Sequence, residues 1–454
     1  MSLMSLLSIA RSALLAHQRA MAVTAHNVAN AQTPGYSRQR LNLVAATPQW
    51  SPDGLIGRGV TAGGILRTRD IFFDATFRRE SGLLGHSGTM RGYLSQVEGA
   101  FSEPSDLGVS AALDGLFQAF GDLANDPTGA LNRDLVRQAA GQFVNRLHQL
   151  DGQLSNVAAD SLSRLRGQVD EVNALAGQIA ELNTEILAAG GAQQNAADLQ
   201  DQRDLLVDQL STLVSVRVLQ HDDGSIGVVA GDQMLVDGAN AHTLQVQAVG
   251  SGWGVASANG GGIIDAGGGS IKALVDVLDT TLPSLRTRLD DFARSVVTEF
   301  NTIHRNGYTL SGATGTDFFD PAGVTASTIS LTAAITASGD AIAASATGAP
   351  GNGDIALQLA DLADATPASL GGKTLRSLYV EIASGVGADV REAEQQEAIH
   401  QTLAYNADSA RSSISGVSVD EEMVLLISQQ QAYGAAARLI KVADEMMDDL
   451  MRAF

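Results

Sequence analysis

The sequence predicts a mainly α protein with inserted β structure: a long helical bundle, coiled-coil helices at both chain ends and a small β domain. Three observations predict this α+β class. Apolar residues recur at helical spacing at both ends, a helical stripe without proline runs from Leu131 to Leu187, and period-two alternation begins at Val214. Hydrophobic residues are 44% of the 454, but aromatic residues only 4%. This composition favours helices that bury aliphatic side chains.

The first thirty residues carry apolar side chains spaced three and four apart, as on one face of a helix. The stripe consists of Leu3, Leu7, Ala10, Leu14, His17, Met21, Thr24 and Val28. Because His17 and Thr24 are weak residues for such a seam, the helix needs a partner. Thr33-Pro34-Gly35 then predicts a turn, since proline fixes φ and glycine accepts positive φ.

Asn27 and Asn30 precede this turn, and Tyr36 follows it. Asparagine amides compete for backbone hydrogen bonds, so they suit helix ends better than helix interiors. Tyr36 adds a ring with a polar tip. From these residues alone, a simple helix stop and a packing or interaction role are equally good interpretations.

The last thirty-five residues predict a second amphipathic helix. Ser418 and Glu421 have the spacing of a capping box, in which each side chain bonds the backbone of the other. Asp420, Glu421 and Glu422 suit the positive end of the helix dipole. One face carries Leu426, Tyr433, Ala437, Ile440 and Met447, with Ala436, Ala443 and Leu450 alongside. Because residues 1–100 hold ten Arg against five acidic residues and residues 401–454 eight acidic against four basic, the two ends can attract each other.

The middle of the chain alternates between patterns. Residues 41–80 predict short strands and turns, and helices resume from Leu107. An unbroken helix from Leu131 to Leu187 would be about 85 Å long, ended by Ala188 to Asn195 and followed by a returning helix over 196–213. Strands follow, with a hairpin turn at Asp223-Gly224. Helices are expected over 271–306, 355–362 and 373–411, and irregular structure over 308–355.

These patterns predict three structural units. The first is a terminal coiled-coil domain of residues 1–40 plus 412–454. The second is a long-helix bundle of residues 41–213 plus 271–411, and the third is an inserted β domain of residues 214–270. A length of 454 residues is consistent with about three units.

No residue pattern indicates catalysis, a cofactor or a metal. Cysteine is absent, and the eight histidines show no HExxH motif. The glycine runs lack phosphate-loop and dinucleotide-binding spacing. The carboxylates at 420–422 and 444–449 are interpreted as helix-end and solvent-facing charges. The net charge of −21 argues against nucleic-acid binding. No apolar run is long enough for membrane insertion, and no cleaved signal peptide is evident.

Both chain ends resemble the flagellar axial proteins of rod, hook and hook–filament junction. The resemblance lies in "ANAQTPGYSRQR" (Ala29 to Arg40) and in the stretch from Ser415 to Met451. The middle, from "GRGVTAGGILRTRDIFFDATFRRE" through the long helix to "DGSIGVVAGDQMLVDG", resembles the hook-associated members of the junction. The resemblance covers nearly the whole chain and is weakest over 308–395.

The resemblance implies a structural, non-enzymatic subunit that is exported unfolded by the flagellar type III apparatus. It implies an adaptor that joins hook to filament by self-assembly into a helical ring, with the chain ends paired around a central channel. The implied partners are further copies, the hook protein, a second junction protein and an export chaperone. Another rod or hook protein, and a secreted coiled-coil adhesin, are the alternatives.

The assembly residues that the resemblance implies lie in two sets. The N-terminal motif supplies Asn27, Asn30, Thr33, Pro34, Gly35 and Tyr36. The C-terminal helix supplies Asp420, Glu421, Leu426, Tyr433, Ala436, Ile440, Asp444 and Met447.

Overall fold

The computed structural model describes residues 3–51, 54–190, 196–250, 252–260 and 262–452. The helices are α1 (Leu3–Ala29), α2 (Ile71–Phe101), α3 (Val109–Asn125), α4 (Ala130–Ala188), α5 (Ala197–Leu213), α6 (Gly269–Asp276), α7 (Leu282–His304), α8 (Ala333–Ala337), α9 (Asp354–Asp361), α10 (Leu375–Ser415) and α11 (Val419–Arg452). The strands are β1 (Gln39–Ala45), β2 (Gln49–Ser51), β3 (Gly54–Ile56), β4 (Val60–Arg67), β5 (Val216–Gln220), β6 (Ile226–Ala230), β7 (Gln233–Asp237), β8 (Asn240–Ala241), β9 (Leu244–Val249) and β10 (Gly252–Ser257). The predicted class, mainly α with inserted β, is confirmed.

The two terminal helices pack against each other in opposite directions. Asn27 of α1 contacts Glu422 of α11, and His17, earlier in α1, contacts Gln429, later in α11, at 2.6 Å. The two helices are therefore antiparallel. The seam of α11 repeats every seven residues, as in a coiled coil. Its buried or half-buried residues are Glu422, Leu426, Gln429, Tyr433, Ala436, Ile440, Ala443 and Met447. His17, a weak seam residue by sequence, is therefore accommodated by a polar partner at the same level.

A two-stranded arm, residues 39–67, lies along α1. Strands β1 and β4 pair antiparallel from Gln39↔Arg67 to Ala45↔Val60, and β2 pairs with β3 at the distal end. The Val60 amide donates to the Ser12 hydroxyl at 3.3 Å, which holds the middle of the arm against α1. The expectation of short strands and turns over 41–80 is thus correct as far as Asp70 and wrong for residues 71–80, which belong to α2.

The expectation that helices resume only at Leu107 is wrong, because α2 begins at Ile71 and continues to Phe101. Its first half buries Asp74, Arg78 and Glu80 together with Ser81 and Gly82 instead of an apolar stripe. Gly82 and Gly85 allow close approach of neighbouring backbone: a Cβ at Gly85 would lie 2.4 Å from the Thr212 carbonyl oxygen. A pattern based on apolar spacing cannot detect a helix whose buried face is charged.

Helix α4 has 59 residues, about 88 Å at 1.5 Å per residue, as its proline-free stripe predicts. The predicted break after it includes residues 191–195, which lie outside the described part of the chain. Helix α5 then returns along α4. Two α4 asparagines bond the β structure: Asn173 exchanges hydrogen bonds with the Leu244 backbone, and Asn183 with that of Ile226.

The β structure between 216 and 257 forms two antiparallel sheets. Strands β5 to β8 form one sheet in the order β5-β6-β7-β8, and β9 pairs with β10. The turn between β5 and β6 contains Gly224 at φ 90° and an Asp223 carboxylate that accepts from the Ser225 amide. The predicted hairpin turn at Asp223-Gly224 is correct. Among the described residues, strand β5 pairs only with β6 and so lies at the edge of its sheet.

The segment from 305 to 353 packs on the bundle through side chains. Phe318 and Phe319 are fully buried against Phe300. Asn301 accepts from both of their backbone amides and donates to the Phe319 carbonyl. Several aromatic rings thus meet at one place in the core, where they fix a segment with little regular structure.

Within the described ranges, no helix has the length and apolar character needed to cross a membrane.

Candidate assembly site at the junction of the chain ends

The predicted turn after α1 is present, and its residues have defined roles. Thr33 to Tyr36 form a turn closed by the Tyr36 amide and the Thr33 carbonyl at 3.2 Å, with Gly35 at φ 78°. Asn30 lies just past the helix end and donates to the His26 carbonyl at 3.0 Å. Proline at the second position and glycine with positive φ at the third are typical of a type II turn. A Cβ on Gly35 would lie 3.2 Å from Leu205 of α5, so the turn packs directly on the bundle.

Asn27 is buried in the last turn of α1, two residues before its end, and all its hydrogen-bonding capacity is used. Its Oδ1 accepts from the Gln39 amide at 3.0 Å and from the Tyr36 hydroxyl at 2.8 Å. Its Nδ2 donates to the Gln39 carbonyl and to Glu422 Oε2, both at 2.9 Å. Two donors face Oδ1 and two acceptors face Nδ2, so the orientation of this amide is fixed. One side chain therefore ties together α1, the turn, the arm and α11.

Tyr36 supplies its hydroxyl to this arrangement. Burial raises the pKa of the Tyr36 phenol, and the nearby carboxylates of Asp198, Asp201 and Glu422 raise it further. The hydroxyl therefore keeps its proton and acts as a donor to Asn27.

Arg38 connects the arm to the start of α11. Its guanidinium donates to Glu422 at 2.7 Å and to Glu421 at 2.9 Å, and its backbone amide donates to the Ser415 carbonyl. Glu422 is fully buried, so its charge is matched by Arg38 and by the Asn27 amide. Its predicted place among the charges at the start of the C-terminal helix is correct, and the fold buries it there. A buried carboxylate needs such partners, because desolvation would otherwise disfavour its ionised form.

The predicted capping box at the start of α11 is half correct. The Glu421 amide donates to the Ser418 hydroxyl at 3.4 Å. The Glu421 carboxylate, however, is directed to Arg38 and not back to the Ser418 backbone. A charged partner across the interface outcompetes a neutral backbone donor for that carboxylate.

A ladder of ion pairs continues from the start of α11 into the bundle. Its arginines come from the end of β4, the residues just after it, α2 and α10, and most of its aspartates come from α5. Arg67 donates to Asp201 and Asp204, both at 2.8 Å, and Arg69 contacts Asp74 at 2.7 Å. Arg78 and Arg411, of α10, both donate to the Asp208 carboxylate, each at 2.6 Å. Asp201, Asp204 and Asp208 follow one face of α5 because they are three and four residues apart.

The electrostatics of the ladder differ between neighbouring carboxylates. Burial alone would raise the pKa of Asp204, but Arg69, Arg67 and other arginines outweigh it and hold that pKa at about 2. At Asp201 burial prevails over Arg67, and its pKa is raised. Burial also lowers the pKa of Arg203 to about 10. We call the whole cluster the joint. Its members at the chain ends are Asn27, Tyr36, Arg38, Gln39, Glu421 and Glu422, and its members in the ladder are Arg67, Arg69, Asp74, Arg78, Asp201, Asp204, Asp208 and Arg411.

The predicted C-terminal residues fall into two groups. Five of them lie in the seam against α1, namely Leu426, Tyr433, Ala436, Ile440 and Met447. Three are acidic and exposed: Asp420, Glu421 and Asp444. Glu421 pairs with Arg38, whereas Asp420 lines a groove between α1, β1 and α11. The structure therefore brings the N-terminal motif together with the start of α11, and leaves Asp444 outside the joint.

Sequence reasoning missed most of the joint. Arg38, Glu422 and the ladder arginines and aspartates are absent from the predicted sites. The one signal in the sequence was the i, i+3, i+7 spacing of Asp201, Asp204 and Asp208 on α5. The arginine partners of the first two include Arg67, at the end of β4, and Arg69, two residues after it. No group of three or more potential metal ligands occurs among the residues that the structure describes.

Comparison with known proteins identifies related chains over almost the whole length. Residues 94–319 match the model of the flagellar hook-associated protein FlgK helical domain. Residues 409–453 match the flagellar basal body rod FlgEFG protein C-terminal family, and residues 7–36 match the flagella basal body rod protein family. The joint is thus formed where the two rod-type ends meet the helical domain.

The flagellar hook-associated protein 1 of Bacillus subtilis is 31% identical over 98% of this chain and 97% of its own length. That of Salmonella typhimurium is 29% identical over 69% of this chain and 59% of its own. The flagellar hook junction protein FlgK from Burkholderia pseudomallei has a similar fold, with a TM-score of 0.66, 15% identity and coverage of 75% of this chain and all of that one. The chain therefore belongs to the flagellar hook-associated protein 1 family, a family of structural proteins of the bacterial flagellum.

Proposed function

We propose that this protein is the adaptor that joins the flagellar hook to the filament by self-assembly of many copies into a ring. The terminal helix pair carries the proposal. The seam between α1 and α11 is buried within one chain, whereas a second apolar face of α11 is exposed. That face carries Val424 at 69% exposure, Ile427 at 52%, Leu439 at 45%, Val442 at 43% and Met446 at 50%. Exposed apolar surface on this scale is typical of an interaction site.

The joint gives the subunit a fixed angle between its chain ends and its bundle. Buried hydrogen bonds and ion pairs are directional, so they hold one geometry where apolar packing would allow several. In this proposal, the residues of the joint are positioning residues for assembly. The three units, residues 1–40 plus 412–454, 41–213 plus 271–411, and 214–270, are inner tube, outer helical layer and projecting β domain.

The partners in this proposal are further copies, the hook protein and a second junction protein, with an export chaperone before assembly. Export proceeds through the type III apparatus without cleavage of a signal peptide. The absence of cysteine is compatible with passage of an unfolded chain and with an oxidising exterior. The protein has no catalytic activity in this proposal.

Deletion of the gene tests the proposal. Cells without it should retain hooks, lack filaments and release flagellin into the medium. Loss of the hooks would indicate a rod or hook protein instead, and normal filaments would leave only a non-junction role such as an adhesin.

A pair of variants tests the exposed face of α11. Complementation with Ile427→Glu should fail to restore filaments, because the charge lies on the apolar face. Gln430→Glu adds the same charge at an exposed polar position one turn away and should restore them. Equal behaviour of the two variants, with both chains exported and folded, would contradict the role of this face.

A further inference from the structure

A groove of about 810 Å³ lies between the start of α2 and the edge strand β5. All five residues of β5, Val216 to Gln220, line it, so it follows the open edge of the strand rather than one face of the sheet. The opposite wall carries Ile71 and Phe72, whose side chains are largely exposed. We call this space the β5 groove, and it combines a strand edge with an apolar wall.

The free edge of β5 presents backbone groups without a hydrogen-bond partner in the described part of the chain. The Ser215 carbonyl accepts from the Gly231 amide, and the His221 amide donates to the Ser225 carbonyl, so the odd-numbered residues bond to β6 and its turn. Backbone groups of an antiparallel strand alternate in direction, so the even-numbered residues direct theirs to the open edge. These residues are Val216, Val218 and Gln220. An extended segment laid along this edge would bond to them as an added strand.

Arg203 of α5 also lines the β5 groove, and it is 3% exposed. Its Nη1 donates to the Asn183 side chain at 3.0 Å and to the Gly224 carbonyl at 2.9 Å. Neither Nε nor Nη2 has a hydrogen-bond partner among the described residues. The carboxylates of Asp201 and Asp204 lie within ion-pair distance of other arginines but not of Arg203. Two adjacent N–H donors of a guanidinium match the two oxygens of a carboxylate, so the free side of Arg203 is suited to such a ligand.

Two more polar groups that line the β5 groove lack partners. Arg217 is exposed and makes no ion pair in the described part of the chain. Asp74 Oδ1 is buried without a hydrogen-bond partner, although Oδ2 accepts from Arg69 at 2.7 Å. Five buried side-chain atoms lack a partner among the described residues, and two of them belong to Asp74 and Arg203 of this one groove. An acceptor and a donor left open together are suited to a ligand that carries both kinds of group, as a peptide does.

The lining of the β5 groove is positive in an otherwise acidic protein. It holds five arginines and two aspartates, whereas the whole chain has a net charge of −21. Arg67, Arg69 and Arg78 are engaged with the aspartates of the ladder. Arg203 and Arg217 are therefore left to attract an anion. Electrostatic complementarity selects an acidic ligand, and the apolar wall selects one with a large apolar side chain.

The described strands of this chain offer no free segment of this kind. Their one carboxylate is Asp237, on β7, and β7 is already paired with β6 and β8. We propose that the β5 groove binds an extended acidic segment of another protein, which adds as a strand beside β5. Its carboxylate binds Arg203 and Arg217, and its apolar side chain packs against Phe72. The site shares no residue with the exposed face of α11 and does not depend on self-assembly into a ring.

Selection from a random library tests the site without presupposing the partner. Seven-residue peptides displayed on phage would be selected on the immobilised full chain, and the enriched peptides would be synthesised with blocked ends. They should contain Asp or Glu within two residues of Leu, Ile, Phe or Trp. Their Kd, measured by fluorescence anisotropy, should rise about tenfold or more when the acid is replaced by its amide, because a hydrogen bond to a charged group is lost.

Four variants locate the binding. Arg217→Gln should weaken binding of the enriched peptides about fivefold, and Arg203→Gln should weaken it more. Arg438→Gln, at an exposed arginine of α11 without an ion pair among the described residues, should leave the Kd unchanged. Val218→Pro removes one outward amide and leaves the bonds of β5 to β6, so it should weaken binding about fivefold. Because Arg203 is buried, the variants at Arg217 and Val218 keep the test decisive if Arg203→Gln does not fold.

Three outcomes would overturn the proposal: enrichment of peptides without an acid, no enrichment over a surface without protein, or an unchanged Kd in Arg217→Gln and Val218→Pro. A peptide of residues 48–57 of this chain, which holds Asp53 between Trp50 and Leu55, provides the comparison with a second copy. Binding as tight as that of the selected peptides would assign the groove to another copy and overturn its assignment to a different protein. The gene deletion decides the proposed function separately, so the two results are distinguishable.

Discussion

Replacement of Asn27 by alanine is the sharpest perturbation of the joint. The amide makes four hydrogen bonds, of 2.8–3.0 Å, and Asn27 is 1% exposed. Alanine removes all four and leaves the Gln39 amide and carbonyl, the Tyr36 hydroxyl and one Glu422 oxygen without this partner. Gln39 is 3% exposed, so water cannot replace the amide without rearrangement.

The expected loss is about 4 kcal/mol in the stability of the joint, from about 1 kcal/mol for each hydrogen bond. Asn30→Ala provides a matched control, since it removes the same amide three residues away. Asn30 is half-buried and donates to the His26 carbonyl, so its loss should cost about 1 kcal/mol.

Native-state hydrogen exchange of the Gln39 amide measures the effect, because this amide donates to Asn27 itself. Exchange should accelerate by about a thousandfold in Asn27→Ala, since each 1.4 kcal/mol is a factor of ten, and by less than tenfold in Asn30→Ala. Exchange in Asn27→Ala that stays within tenfold of the wild type would refute the assignment of Asn27 as the centre of the joint.

Three further predictions concern charge, pH and backbone conformation. Asp204→Asn should lower the free energy of unfolding by about 3 kcal/mol, because it leaves buried arginines uncompensated. In the wild type, the Asp204 pKa of about 2 predicts about 2 kcal/mol of stability that is present above pH 4 and lost as the pH falls toward 2. Denaturation measured across that pH range should show this loss in the wild type and not in the variant. Burial lowers the pKa of His304, whose Nε2 accepts from the Ala343 amide, so thermal stability should fall as the pH drops below about 6.5; His304→Gln should remove this dependence, and an equal dependence in the variant would contradict it. Gly35→Ala should lower the stability by about 2 kcal/mol, as measured by denaturation, because its φ is positive and Leu205 is close; Gly312→Ala, at φ 84° in open space, should cost about half as much.

The elements that the sequence predicted well are those whose local pattern matches their buried face. Helix α4 buries Leu147, Leu154, Leu165, Val172 and Ile179, which are the residues of its apolar stripe. The turn at Thr33 to Tyr36 depends on the conformational preferences of proline and glycine, which act within a few residues. Both features are encoded locally, so spacing and residue type were sufficient to find them.

Helix α2 shows where this reasoning fails. Its buried face holds Asp74, Arg78 and Glu80, whose partners lie just after β4, on α5 and on α10. A charged residue indicates solvent unless its partner is known, and here the partners are up to 320 residues away. Glu422 shows the same limit: its place at the start of a helix was predicted from the sequence, but its burial against Arg38 was not.

By itself, the sequence determined the helical class, the long central helix, the inserted strands and the need of both chain ends for a partner. It also determined the two motifs by which the chain resembles its family. Only the tertiary structure decided that these motifs meet through Asn27, Arg38 and Glu422. The reason is physical: helical and turn preferences act over a few residues, whereas the pairing of a buried charge depends on where the rest of the chain places its partner.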